Sequence, residues 1–185
     1  QKKYGADSFD SVLVNNLEYE SFDYILNSGL KNKFNLLLKN VNSNGDNSTK
    51  YRNETSNKLL GSFIFESSYP LKKTGENFDS FFKPTASIRY SPTETKNISG
   101  QDRRINVYNI FSNNRISSNN TIEGGQSLTV GSEYKLTKKD NNDEFLLLNL
   151  ATVLRDQENP DLPLNSTIGE KTSDIVGNAK YKQNK

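Results

Sequence analysis

The sequence predicts an all-β chain, an antiparallel up-and-down transmembrane β-barrel segment of about seven strands, and three observations predict it. Apolar and polar residues alternate with period two along most of the chain, and no stretch of helical length carries a stripe of period 3.6. Most alternating stretches reach the roughly 9 to 11 residues of a membrane strand, against about 5 to 6 in globular sheets. The connections run short, long, medium, long, short, long, and outer-membrane barrels have short turns on one rim and longer loops on the other.

In chain order, residues 11 to 26 set Leu13, Leu17 and Tyr19 opposite Asn16, Glu18 and Glu20. A short turn at 27 to 32 leads to KFNLLLKN, where Phe34, Leu36 and Leu38 share one face and Lys33, Asn35 and Lys39 the other, with Leu37 as the exception. After a long polar loop at 43 to 56, Leu59, Phe63, Phe65 and Tyr69 oppose Ser62, Glu66 and Ser68; Leu60 and Ile64 break the pattern. The medium connection spans Pro70 to Ser80. FFKPTASIRY then alternates cleanly, with Phe82, Pro84, Ala86, Ile88 and Tyr90 against Lys83, Thr85, Ser87 and Arg89.

The longest connection, roughly residues 92 to 125, is expected to hold a short strand at Asn106 to Phe111. Gly124 and Gly125 read as a turn or bulge that starts the next strand, SLTVGSEYKL, whose Leu128, Val130, Tyr134 and Leu136 oppose Thr129, Glu133 and Lys135. A tight turn at 137 to 143 precedes Glu144 to Arg155, the least amphipathic strand. There Leu146, Leu148, Leu150 and Leu154 face a mixture of Phe145, Leu147, Val153 and Asn149. A long loop at 155 to 171 and a strand at 172 to 181 complete the set. Tyr69, Phe82 and Tyr90 sit toward strand ends on the apolar face, where an interfacial aromatic girdle would place them.

Composition narrows the function classes. Only 32% of the 185 residues are hydrophobic, little for a thick core, while ten Phe and nine Tyr argue against disorder. The net charge of +2 is spread over scattered charges of both signs, which leaves no footprint for nucleic acid. With no Cys and no His, a thiol nucleophile, an imidazole triad and a structural zinc site are not available within this chain, and no cofactor is expected. The first residue is Gln1 and no apolar leader follows it, so the expectation is a piece of a longer chain or one whose signal has been removed.

Four stretches resemble the lipopolysaccharide-assembly outer-membrane protein family, also called the organic solvent tolerance proteins, particularly its alphaproteobacterial branch. They are FNLLLKNVNSNG, KPTASIRYSP, NIFSNNRISSNNTIEGGQSLTVGSEYKL and LRDQENPDLPLNSTIGEKTSDIVGNAKYK, and they span nearly the whole chain in the family's order. The resemblance implies a large barrel of about twenty-six strands, of which residues 1–185 would be a partial domain unable to close alone. It implies a place in the translocon that inserts lipopolysaccharide into the outer leaflet of the outer membrane. Its partners would be an outer-membrane lipoprotein plug, the components of a periplasmic bridge and membrane lipid. Another barrel class, such as a porin or uptake receptor, fits the same periodicity, and a soluble β-sandwich binding module is a further alternative.

If the apolar face meets lipid, Lys33, Lys39, Lys83 and Arg89 present cations to the lumen, and lysine and arginine suit the phosphates of lipopolysaccharide. The cluster QDRR at 101 to 104, with Arg115 nearby, reads as a solvated loop, the alternatives being a loop-ordering ion-pair network or a contact to surface glycolipid. The carboxylates Glu18 and Glu20 lie on one side of a strand, as a glycosidase pair would, but read as ordinary polar alternation. No catalytic residue is nominated, and the expected role is not enzymatic. Five Asn-X-Ser/Thr sequons, beginning at Asn47, Asn53, Asn97, Asn119 and Asn165, fall in expected loops and follow from a composition rich in these residues.

Overall fold

Alternation on the page becomes cross-strand rows in space. A computed structural model of the chain describes residues 8–49, 51–140 and 143–182. Its strands are β1 (Phe9–Glu20), β2 (Tyr24–Ile25), β3 (Lys31–Asp46), β4 (Ser56–Ser68), β5 (Leu71–Thr74), β6 (Phe78–Ser91), β7 (Gly125–Lys138), β8 (Glu144–Arg155) and β9 (Val176–Tyr181). They form one sheet in the order β1-β3-β4-β6-β7-β8-β9, every pairing antiparallel, with β2 on β3 and β5 on β6 as short continuations. The sheet does not close: β1 and β9 are its two edges. Among the described residues no helix is long and apolar enough to cross a membrane, and the one helical piece is a 3-10 turn at Thr167–Gly169.

Seven strands along the path agree with the count expected from periodicity. The connections are more regular than the sequence suggested. Residues 70–80 are not a medium loop, because β5 prolongs the line of β4 and both pair with β6, leaving a turn of residues 75–77. Pro70 has no N–H for the ladder, so the line breaks there, while the Tyr69 N–H still reaches the Pro84 carbonyl at 3.0 Å. Turn and loop therefore alternate strictly: residues 47–55, 92–124 and 156–175 gather on one rim and the short turns on the other. The tips of two expected connections, residue 50 and residues 141 and 142, lie outside the described residues.

Register gives the two faces. One row runs Phe34, Phe65, Ile88, Leu128, Leu154 across five strands, and a second runs Phe82, Tyr134, Leu148, Ala179. This outer face is apolar and open; Ile88 is 58% exposed and Leu59 68%. Tyr69, Phe82 and Tyr90 are also exposed. Ring contacts link Tyr19 to Phe34 and Phe34 to Phe63, at centroid distances of 5.8 and 6.1 Å. On β3 the apolar run ends at Leu38, beyond which Asn40, Asn42 and Asn57 bond one another across β3 and β4. A register shift after Leu136 brings Phe145 against Phe78 and Tyr181, each ring pair 5.0 Å apart.

The opposite, inner face is covered toward the long-loop rim by the loop of residues 92–124. That loop holds no strand at 106 to 111. The Asn106 side chain accepts the N–H groups of Tyr108 at 2.9 Å and Asn109 at 3.2 Å, and the Asn109 side chain accepts that of Asn106 at 2.8 Å, so the backbone winds into turns. Such side-chain capture competes with sheet pairing. Ile122 packs on Leu37, Val41 and Leu60 of β3 and β4, and Ile110 packs on Ala151 and Val153 of β8. Ile98 and Ile116 meet Leu162 and Ile168 of the 156–175 loop, knitting two long loops into one cap.

Candidate functional site

The inner face is built from alternate residues of neighbouring strands, and all four predicted cations lie on it. Lys33 sits between Glu20 at 3.4 Å and Glu66 at 3.9 Å. Lys83 stands beside Glu133 in the β6–β7 register and is exposed, with no ion pair within 4.0 Å among the described residues. With Glu66, Thr85 and Glu133 it lines a cleft of about 210 Å3 roofed by Val107 and Phe111 of the loop. Lys39 and Arg89 are placed differently. Both are buried, at 1% and 2% exposure, and both donate to loop carbonyls. Lys39 Nζ reaches the carbonyls of Ser118 at 2.7 Å and Asn119 at 3.2 Å, and Arg89 Nη2 those of Ser112 at 2.6 Å and Asn113 at 2.7 Å.

Above Lys83, toward the long-loop rim, the inner wall carries a cluster that the alternation did not single out. Ile64, Arg89, Ser127 and Arg155 form one row across β4, β6, β7 and β8. The loop lowers Arg115 and Glu123 onto that row. Arg115 grips both Glu123 carboxylate oxygens, with Nε at 2.6 Å from Oε2 and Nη2 on Oε1. It also donates to the hydroxyls of Thr129 and Ser127, each at 2.8 Å, and to the Ile110 carbonyl at 3.2 Å. Arg155 Nη1 binds Glu123 Oε1 and its Nη2 the Gly124 carbonyl at 2.6 Å. Arg89 Nε stands 4.0 Å from Glu123 Oε2.

Three guanidiniums thus surround one carboxylate, all four side chains being no more than 2% exposed. Burial alone would push the Glu123 carboxyl up, yet the charges of Arg115, Arg89 and Arg155 outweigh it and hold the group down at about 2. Arg89 Nε and Nη1 and Arg155 Nε have no hydrogen-bond partner among the described residues. The glycines make the approach possible. A Cβ on Gly124 would lie 2.2 Å from the Thr93 carbonyl oxygen, and Gly125 turns into β7 at φ +84°. The Gly124 N–H is taken by Thr95 Oγ1 at 2.8 Å.

Thr129, expected to be wetted like Glu133 and Lys135, is buried under the loop because Arg115 binds it. Arg103 of the QDRR stretch orders the loop by donating to Gln101 and to the carbonyls of Ile116 and Ser117, while Arg104 and Asp102 pair at the surface at 3.2 Å. Glu123 and Arg155 drew no attention in the sequence. The signal that could have found them is the set of exceptions: Leu37, Leu60, Ile64 and Val153 are apolar where a wetted face calls for polar residues, and all four are buried.

A sheet with an apolar, exposed face and a charged, loop-capped face can hold an amphiphile's polar part. The sequence matches the family model described as LPS transport system D over residues 28–185, the greater part of the chain. No curated protein matches it. The chain belongs to the LPS transport system D family, and its role lies in LPS transport and assembly.

Proposed function

We propose that residues 1–185 are part of the wall of an outer-membrane β-barrel that conducts lipopolysaccharide and delivers it to the outer leaflet. The observation that carries this reading is the division of the sheet into an exposed apolar face and a charged face, in a chain of the LPS transport system D family. Strands of 12 to 16 residues, such as β1 and β3, are long enough to cross a hydrocarbon layer at a tilt. The open edges at β1 and β9 have unspent backbone donors and acceptors, which further strands of a larger barrel would satisfy. By family resemblance the partners are a lipoprotein plug inside the barrel and a periplasmic bridge that loads it.

In this reading Lys33 and Lys83, on the part of the inner wall that the loop leaves open, meet the anionic phosphates of lipopolysaccharide; their partial exposure supports it. Lys39 and Arg89 serve the loop in the same arrangement and reach ligand only where the loop is displaced. Charge reversal of both open lysines, Lys33→Glu with Lys83→Glu, in the full-length protein is expected to reduce surface lipopolysaccharide, scored by protease-protected and surface-labelled fractions. Delivery at the unmodified rate would overturn the assignment of these two residues.

A further inference from the structure

The loop of residues 92–124 is held to the inner wall by buried isoleucines and by a buried charge cluster, and that charge is unbalanced. Arg89, Arg115 and Arg155 bring three positive charges to a buried place where Glu123 supplies the single negative one. A buried guanidinium without a counter-charge is unfavourable, and removing one member of a buried ion group leaves the others uncompensated. Loss of Glu123 therefore does more than delete a contact: it raises the buried excess from two charges to three. Removal of Arg115 lowers the excess to one, and removal of both returns it to two.

We propose that Glu123 is a latch: the charge balance around this one carboxylate decides whether the loop stays folded on the inner wall or lifts from it and uncaps Lys39 and Arg89. The loop is suited to move as a unit. Its hold on β3 and β4 consists of Ile122, the Lys39 bonds to the Ser118 and Asn119 carbonyls, and the Gly61 N–H donated to Thr93 Oγ1 at 3.1 Å. Gly125, at φ +84°, turns the chain where the loop enters β7. That an uncapped Lys39 and Arg89 would then meet lipopolysaccharide rests on the reading above; the latch itself is independent of it.

The test follows the loop rather than transport. Ser118 is 1% exposed, sits over Lys39 and lies in a chain without cysteine, so Ser118→Cys introduces a buried reporter of similar size. The full-length protein carrying it, in isolated outer membranes, is labelled with a membrane-impermeant maleimide, the parent without the added cysteine serving as blank. Labelling is expected to be slow with Glu123 in place and faster by roughly tenfold or more with Glu123→Gln, since it follows the population of open loop. Arg115→Gln alone lowers the buried excess while giving up the bonds of Arg115 to Thr129, Ser127 and the Ile110 carbonyl, and is expected to label more slowly than Glu123→Gln; the pair Glu123→Gln with Arg115→Gln is also expected to label more slowly than Glu123→Gln alone.

A double variant that labels as fast as Glu123→Gln overturns the latch, as does Glu123→Gln labelling at the native rate. Should Glu123→Gln fail to assemble while the double variant assembles, charge balance is supported. Should both fail, the proposal is overturned, because returning the buried excess to two has not restored the loop. Lipopolysaccharide delivery measured on the same membranes separates this outcome from that of the transport reading, because a loop can open without changing delivery.

Discussion

The two halves of the inner wall obey different rules. Toward the short turns the side chains are charged, partly exposed and loosely paired, as in Lys33 with Glu20 and Glu66 or Lys72 with Asp79 at 2.8 Å. Toward the long loops the same face is buried: Leu37, Val41, Leu60 and Val153 pack under loop isoleucines, and its charges are enclosed by the loop and bonded to Glu123 or to loop carbonyls. The same strands run through both halves, so strand chemistry alone does not make the difference. Residues 92–124 make it, by replacing water over half the wall.

That contrast sets the scale of what substitutions do. Glu123→Gln should have the largest effect, about 3–5 kcal/mol of loop or barrel stability, because it strands three buried guanidiniums. Leu37→Ala should follow at about 2–5 kcal/mol, since Leu37 is fully buried against Ile122 and its neighbours. Lys83→Ala, on the same wall in the open half, should stay within about 0.5 kcal/mol. Urea unfolding of the full-length barrel in detergent, read by heat-modifiable gel mobility, measures all three. Equal losses for Leu37→Ala and Lys83→Ala would erase the distinction between the halves.

Acid sharpens the comparison further. Glu123 is held down at about 2 against an ordinary 4.5, so its contribution is fully present above 4.5 and is lost as pH falls through about 2. Limited pepsin digestion should leave the 92–124 loop protected near the upper limit and cut it near the lower; cleavage that is uniform across the range would show that the carboxylate does not hold it. The smallest effect belongs to Asp23 at the short-turn rim. The pKa of its carboxyl is lowered by a hydrogen bond from Lys31 at 2.5 Å, but the pair lies at the exposed rim, so Asp23→Asn should leave the unfolding midpoint unchanged.

Much of this molecule was legible before any coordinates. Period two places each side chain on one face of a strand or the other, and that is a local property, so the apolar rows through Ile88 and Leu128 and the polar positions of Lys33 and Lys83 follow from spacing alone. Connection lengths likewise sort the two rims. Tertiary structure alone decided what covers the inner face. Arg115 meets Thr129, and Glu123 meets Arg155, only because the chain between them reverses through a strand or a loop, and no periodicity encodes such a meeting. Leu37, Leu60, Ile64 and Val153 look like lapses in an alternating pattern when read along the chain. In the folded protein they are buried because a loop far from them in sequence, or the wall it covers, takes the place of water.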